Sequence, residues 1–243
     1  MYPTVDQAVA VVTAVQEGLH ERRRRGATVP RAIVCPPFVA LPALRAVADE
    51  QLVHLGAQNC HWEAEGPYTG EVSPPMLRGL AEYVMVGHSE RRAAGDTDDA
   101  VARKVAAVVA HGMVPILFVG EDRRGDDAVA ATEERLRRAL SGVDPATDAV
   151  LVVYEPAWAI GADAAAPADH VRRAVEHVKG VLGELGVRRP EVLYGGTVND
   201  DNVDDLVAVE ALDGVGATRA SLSAEGFLHL VDRLMEGPKG AAG

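Results

Sequence analysis

Short runs rich in β-branched residues alternate with longer amphipathic stretches along the whole 243-residue chain. The candidate strands are Ala32–Cys35, Val53–Ala57, Tyr83–Val86, Val114–Val119, Val150–Tyr154, Val192–Tyr194 and Gly214–Ala217. Several are apolar almost throughout, as strands buried on both faces of a parallel sheet must be. Between them, Thr97–Ala110 carries Val101, Val105, Val108 and Val109 on one helical stripe, and Ala168–Leu182 and Ala224–Met235 are further helical stretches. A β-α alternation sustained this long means either a doubly wound sheet or a closed barrel. A GxGxxG fingerprint would favour the first, and none opens the chain. The chain opens on a helix instead, with Thr4 and Gln7 spaced as a capping box. Its last turn holds Arg22–Arg25 before Gly26, basic side chains at the negative end of a helix dipole. Prolines and glycines fall mostly between elements, and nothing divides residues 1–243 into more than a single domain.

Charge narrows the partners. With 24 Lys and Arg against 36 Asp and Glu, the formal net charge is −12, so the chain has no cationic excess for a nucleic-acid backbone. A small anion held by a local site stays possible. Only Cys35 and Cys60 are present, too few for a disulfide scaffold and in keeping with a reducing cytosol. No apolar run approaches the ~20 residues of a membrane span. The opening residues lack the basic-then-apolar pattern of a secretion signal, so a cytoplasmic protein is expected.

Chemistry-bearing motifs sit where strands end. Glu155, in the run Tyr154 to Gly161, follows a strand at the position where barrels keep catalytic groups, and the small residues to Ala166 suit a lid. His88, in Gly87-His88-Ser89-Glu90-Arg91-Arg92, stands before a helix start, where free N–H groups disfavour an imidazolium. In Tyr194-Gly195-Gly196-Thr197-Val198-Asn199 the two glycines allow close backbone approach and N–H groups for an oxyanion, although a plain tight turn explains them almost as well. The long stretch Gly56 to Ser73 carries Trp62 and Tyr68, aromatic anchors for an interface.

Taken together, GHSERR, YEPxWAIG and YGG[ST]VN, in this order and spacing, resemble the triosephosphate isomerase family from the first helix to the last. The resemblance implies a (β/α)₈ TIM barrel and a small phosphorylated sugar as substrate, with no metal or organic cofactor. By resemblance, Glu155 is the base that removes the proton beside the carbonyl, and His88 is the neutral electrophile. Glu90 would pair with the family's catalytic lysine. Gly161 and Thr197, with Gly195 and Gly196, would offer N–H groups to the substrate phosphate, and Thr69 would reach into the second subunit of a homodimer.

The sequence also departs from the family. Where the family has Leu-Val-Gly-Gly-Ala-Ser, this chain has Gly216-Ala217-Thr218-Arg219-Ala220-Ser221, so Thr218 and Arg219 replace a glycine pair and Arg219 is expected to hold phosphate directly. The lid reads Gly161-Ala162-Asp163-Ala164-Ala165, and the family's cysteine is Phe118 here. These changes make L-erythrulose-1-phosphate isomerase, the four-carbon branch, an alternative, and a non-catalytic phosphosugar binder another. The family's first strand and its lysine would lie upstream of Met1. On this expectation the strands Ala32–Cys35 and Gly214–Ala217 are open edges, Glu90 lacks its cationic partner, and the chain as written is poorly soluble and inactive.

Overall fold

The computed structural model describes residues 2–125, 127–144, 149–161, 165–217 and 219–237. Helix α1 (Val5–Arg24) is followed by β1 (Ala32–Val34), α2 (Leu41–Arg45), β2 (Val53–Ala57), α3 (Pro74–Leu77) and β3 (Tyr83–Val86). Next come α4 (Ser89–Ala93), α5 (Asp98–Ala110), β4 (Val114–Val119), α6 (Ala128–Ala139) and β5 (Leu151–Tyr154). The remainder is α7 (Ala168–Glu184), β6 (Glu191–Tyr194), α8 (Val203–Val207), β7 (Gly214–Val215) and α9 (Ala224–Glu236). Among the described residues, seven strands form one parallel sheet in sequence order, each hydrogen-bonded to the next.

Strand alternation sorts the core into two layers. Val84, Val86, Leu117, Val119, Val152, Tyr154, Val192 and Tyr194 face outward into the main core, where the helices cover them. Tyr83, Ile116, Phe118, Leu151 and Val153 face the concave side and form a second cluster. The register holds these residues level, with Met85 opposite Ile116, Phe118 opposite Val153 and Val153 opposite Leu193. One more residue along each strand brings Gly120, Glu155 and Gly195 to the same rim. Backbone bonds from Glu155 N–H to Val119 O (2.7 Å) and from Gly195 N–H to Tyr154 O (2.9 Å) extend the ladder that far.

The helical layer closes on itself. Helix α1 starts at the expected capping box and packs against both α9 and α2, the helices beside the two ends of the strand order. Arg22 grips Asp232 of α9 through Nε at 2.6 Å and through Nη2 at 2.5 Å, while Arg23 donates to Gln51 O at 2.7 Å. Arg24 and Arg25 pair with Glu21, so the basic run is a helix terminus and not an anion patch. A linear strand order whose outermost helices share one neighbour requires a sheet curled into a barrel-like wall. Among the described residues, β1 and β7 form no ladder with each other. No helix of the described residues is long and apolar enough to cross a membrane.

One helical expectation needs correction. Val101, Val105 and Val108 of α5 are buried, but Val109 is half-exposed, and Lys104 lies inward beside them, 2% exposed. Its ammonium donates to Asp96 Oδ2 at 2.5 Å and to Asn59 Oδ1 at 2.9 Å, and Arg91 meets the other oxygen of Asp96 at 3.1 Å. A buried charge is tolerated only with such partners. Lys104→Met leaves Asp96 with Arg91 alone and should cost about 3–5 kcal/mol in urea unfolding. Adding Asp96→Asn should recover part of that loss. A loss near zero for the single variant would show that the pair contributes nothing.

Candidate active site

Glu155 and His88 meet at the carboxyl-end rim. Glu155 leaves β5, is 5% exposed, and its Oε1 lies 3.0 Å from His88 Nε2. Its Oε2 accepts the Ser89 N–H at 2.9 Å, so α4 presents its first N–H to the carboxylate. His88 caps α4, its Nδ1 accepting from Glu90 N–H at 3.2 Å. An Nδ1 that accepts carries no proton, so the neutral ring is the Nε2–H tautomer, and that proton points at Glu155. Phe118 packs its ring against His88, centroids 4.9 Å apart at 67°.

Burial governs both ionisations. It lowers the His88 pKa from its ordinary value, against a smaller opposing pull from the charge of Glu90. It pushes Glu155 from 4.5 up to about 7, with the Ser89 bond working against the rise, Glu90 adding to it and Arg92 opposing it. The site therefore pairs a neutral imidazole donor with a carboxylate that takes up a proton near neutrality.

The glycines of the rim are there for space. A Cβ at Gly120 would lie 2.3 Å from Glu155 O, and one at Gly195 would lie 2.4 Å from a Val153 methyl. At Gly196 it would strike the Tyr194 hydroxyl at 2.2 Å. Neither Gly195 nor Gly196 has a positive φ, so close approach and not a left-handed turn explains the pair. Gly161 does need glycine, with φ 67°, and is exposed.

Not all the N–H groups expected to face an oxyanion are free of other partners. Gly195 N–H is committed to Tyr154 O, and Thr197 gives Ala159 O both its N–H (3.2 Å) and its Oγ1 (2.8 Å). These two N–H groups are thus taken by the strand ladder and by the loop after β5, whereas Gly196 N–H makes no hydrogen bond among the described residues. Arg219 is exposed beyond β7 and forms no ion pair among the described residues, and Thr218 lies outside them. Glu90 is exposed and its carboxylate likewise has no ion-pair partner among them. Thr69 is exposed on its loop, where His61 stacks on Trp62 at 4.3 Å and Arg103 covers the Trp62 ring.

Glu121 was not anticipated. It follows Gly120 at the end of β4 with its side chain 0% exposed. It accepts from Trp158 Nε1 at 2.8 Å, from Tyr154 Oη at 3.0 Å and from His170 Nε2 at 2.8 Å. Burial, aided by the charge of Glu121, raises the Tyr154 pKa and keeps the phenol a donor. Its place just past a strand end, one residue beyond the rim position level with Glu155, is the signal that could have marked it. No group of His, Cys, Asp and Glu among the described residues is arranged to hold a metal ion.

A curled parallel sheet wrapped by helices, with a buried acid–imidazole pair at the strands' carboxyl ends, defines an enzyme of the α/β-barrel type. The family model described as triosephosphate isomerase matches residues 1–234, and the chain belongs to that family of isomerases. Similar proteins named triosephosphate isomerase include one from Roseiflexus sp. (strain RS-1), 41% identical over 95% of this chain and 93% of its own length. One from Chloroflexus aurantiacus is 42% identical over 95% of this chain and 94% of its own. One from Dehalococcoides mccartyi (strain ATCC BAA-2266 / KCTC 15142 / 195) is 39% identical over 82% and 81%.

The raised Glu155 value ties stability to pH. A carboxyl that binds its proton more tightly folded than unfolded lets the folded state hold extra proton between 4.5 and about 7. Folding stability should therefore fall as pH rises through that window, and the loss is complete above it. Glu155→Gln should remove this slope when unfolding free energies are compared from pH 4 to 8. An identical slope in both proteins would refute the burial account.

Proposed function

We propose that the chain is a cofactor-independent aldose–ketose isomerase that interconverts dihydroxyacetone phosphate and glyceraldehyde 3-phosphate through an enediolate. The observation that carries this reading is the dry Glu155 carboxylate in contact with the Nε2–H of a neutral His88. Family membership favours the three-carbon pair over the four-carbon alternative.

The chemistry follows from these two groups. Glu155 takes the proton from the carbon beside the carbonyl, and the C–H electron pair becomes the enediolate double bond. His88 donates Nε2–H to the carbonyl oxygen as charge develops there, then moves a proton between the two oxygens. Glu155 returns its proton to the neighbouring carbon, so no electrons leave the substrate. A pKa near 7 leaves the carboxylate basic enough to compete for a carbon-bound proton while a fraction of the molecules stays ionised at neutrality.

The phosphate would sit between Gly161, the Gly195–Thr197 turn and Arg219; Thr218, also expected to hold it, lies outside the described residues. Arg219 supports this placement as an exposed cation with no ion pair among the described residues. Thr197 N–H serves in this role only if the loop after β5 moves and releases it from Ala159 O. Glu90 acts by charge, raising the proton affinity of both His88 and Glu155. The protein works in the cytoplasm as a homodimer joined through the Thr69 loop. The exposed Tyr68 and Met76, 41% and 63% accessible, support an apolar contact there. Burial pushes both free thiols up to about 12, which agrees with cysteines that take no part in the reaction.

Isomerisation of both triose phosphates by the full chain tests the proposal against the opposing expectation that a chain without the family's lysine is inactive. kcat/KM should rise with pH along a limb centred near 7, the value expected for Glu155. Glu155→Asp withdraws the base by roughly 1 Å and should cut kcat about 100-fold with little change in KM. An unchanged kcat would remove Glu155 as the base. Binding of a phosphoglycolate-type analogue without solvent deuterium entering substrate would instead indicate a non-catalytic binder.

A further inference from the structure

We propose that His170 is a positioning residue for the loop after β5, acting through Glu121 to tie the loop's two ends to one buried carboxylate. The proposal rests on the isomerase reading, because its purpose is to hold the segment that follows the base. The chain leaves the sheet at Tyr154, passes the base at Glu155, and returns to the helical layer at α7. Trp158 lies early in that loop, on the short 3-10 helix Ala157–Ala159, and His170 lies in the first turn of α7. Their N–H groups converge on the same oxygen, Glu121 Oε1, each at 2.8 Å.

The protonation pattern leaves little freedom. Tyr154 has one hydroxyl proton, and Glu121 Oε2 at 3.0 Å takes it. His170 Nε2 is 2.8 Å from Glu121 Oε1 and 2.9 Å from Tyr154 Oη, so its proton is shared between two acceptors. The His170 ring also packs edge-on to Trp158, centroids 5.7 Å apart at 69°. A carboxylate with no exposure must keep its donors, so each donor is fixed by the others. Further bonds hold the loop to β6 and the turn after it, from Ala166 N–H to Tyr194 Oη and from Thr197 to Ala159 O. Without His170 the loop keeps these but loses its tie to α7.

His170 is also the solvent side of this cluster. It lines a cavity of about 200 Å³ with Asp127, Ala128, Val129, Arg173 and Ala174. Truncating the ring extends that cavity to Glu121 and admits water where Trp158 now donates.

The test uses the full chain with Trp62→Phe, which leaves Trp158 as the sole indole of the two tryptophans. In that background His170→Ala should red-shift Trp158 emission, increase its quenching by acrylamide and raise KM for dihydroxyacetone phosphate about tenfold, with a smaller change in kcat. His170→Gln, whose amide can donate to the same carboxylate, should restore emission and KM. Wild-type emission and KM in His170→Ala would overturn the proposal. So would a loss shared equally by both variants, or a fall in Tm with KM unmoved. The emission comparison needs no turnover: a parent inactive on both triose phosphates defeats the isomerase reading, while emission alone still decides whether His170 holds the loop.

Discussion

The Glu155 carboxylate has exchanged water for two neutral donors, the Ser89 N–H and His88 Nε2–H. Dipoles fixed by backbone and ring stabilise its charge less well than water does, so the proton is held to about 7. Much of the surrounding structure keeps it dry and keeps the donors in place. Parallel register carries β5 one residue past its last core position to reach the rim. The β3–α4 turn sets His88 at the helix start, where Glu90 N–H selects the tautomer that faces the carboxylate. A reversed tautomer would present a lone pair to Glu155 and repel it.

Close backbone packing makes this possible. Gly120 and Gly195 lie on either side of Glu155 because any side chain there would meet the β5 backbone or Val153. Behind the rim, Tyr154 and Tyr194 face the helical layer; Tyr154 donates to Glu121 past the end of β4, and Tyr194 accepts from Ala166 N–H in the segment that follows β5. Glu121 links the end of β4 to both that segment and α7. The base thus stands on a rigid strand, and the adjoining loop is anchored to groups that do not touch it.

Much of this was legible in the sequence. The strands were readable to within about two residues because parallel strands buried on both faces leave apolar runs bounded by Gly and Pro. Glu155 and His88 were readable because a polar residue just past such a run stands at the rim. Where several side chains compete for one position, the reading failed. Periodicity placed Val109 in the core, but Lys104 fits there once Asp96 and Asn59, distant or off-stripe in sequence, meet it. Glu121 and His170 lie 49 positions apart, and nothing local announces that they touch. The N–H groups of Gly195 and Thr197 looked available because their acceptors, Tyr154 O and Ala159 O, come from another strand and its loop.

The central claim is that burial raises the proton affinity of Glu155. Isotope-edited infrared spectroscopy of the full chain, with Glu155→Gln to assign the band, titrates that carboxylate directly. A midpoint near 7 is expected, well above the ordinary 4.5 of a glutamate. A midpoint at 4.5 would show that water reaches the carboxylate and would contradict the account.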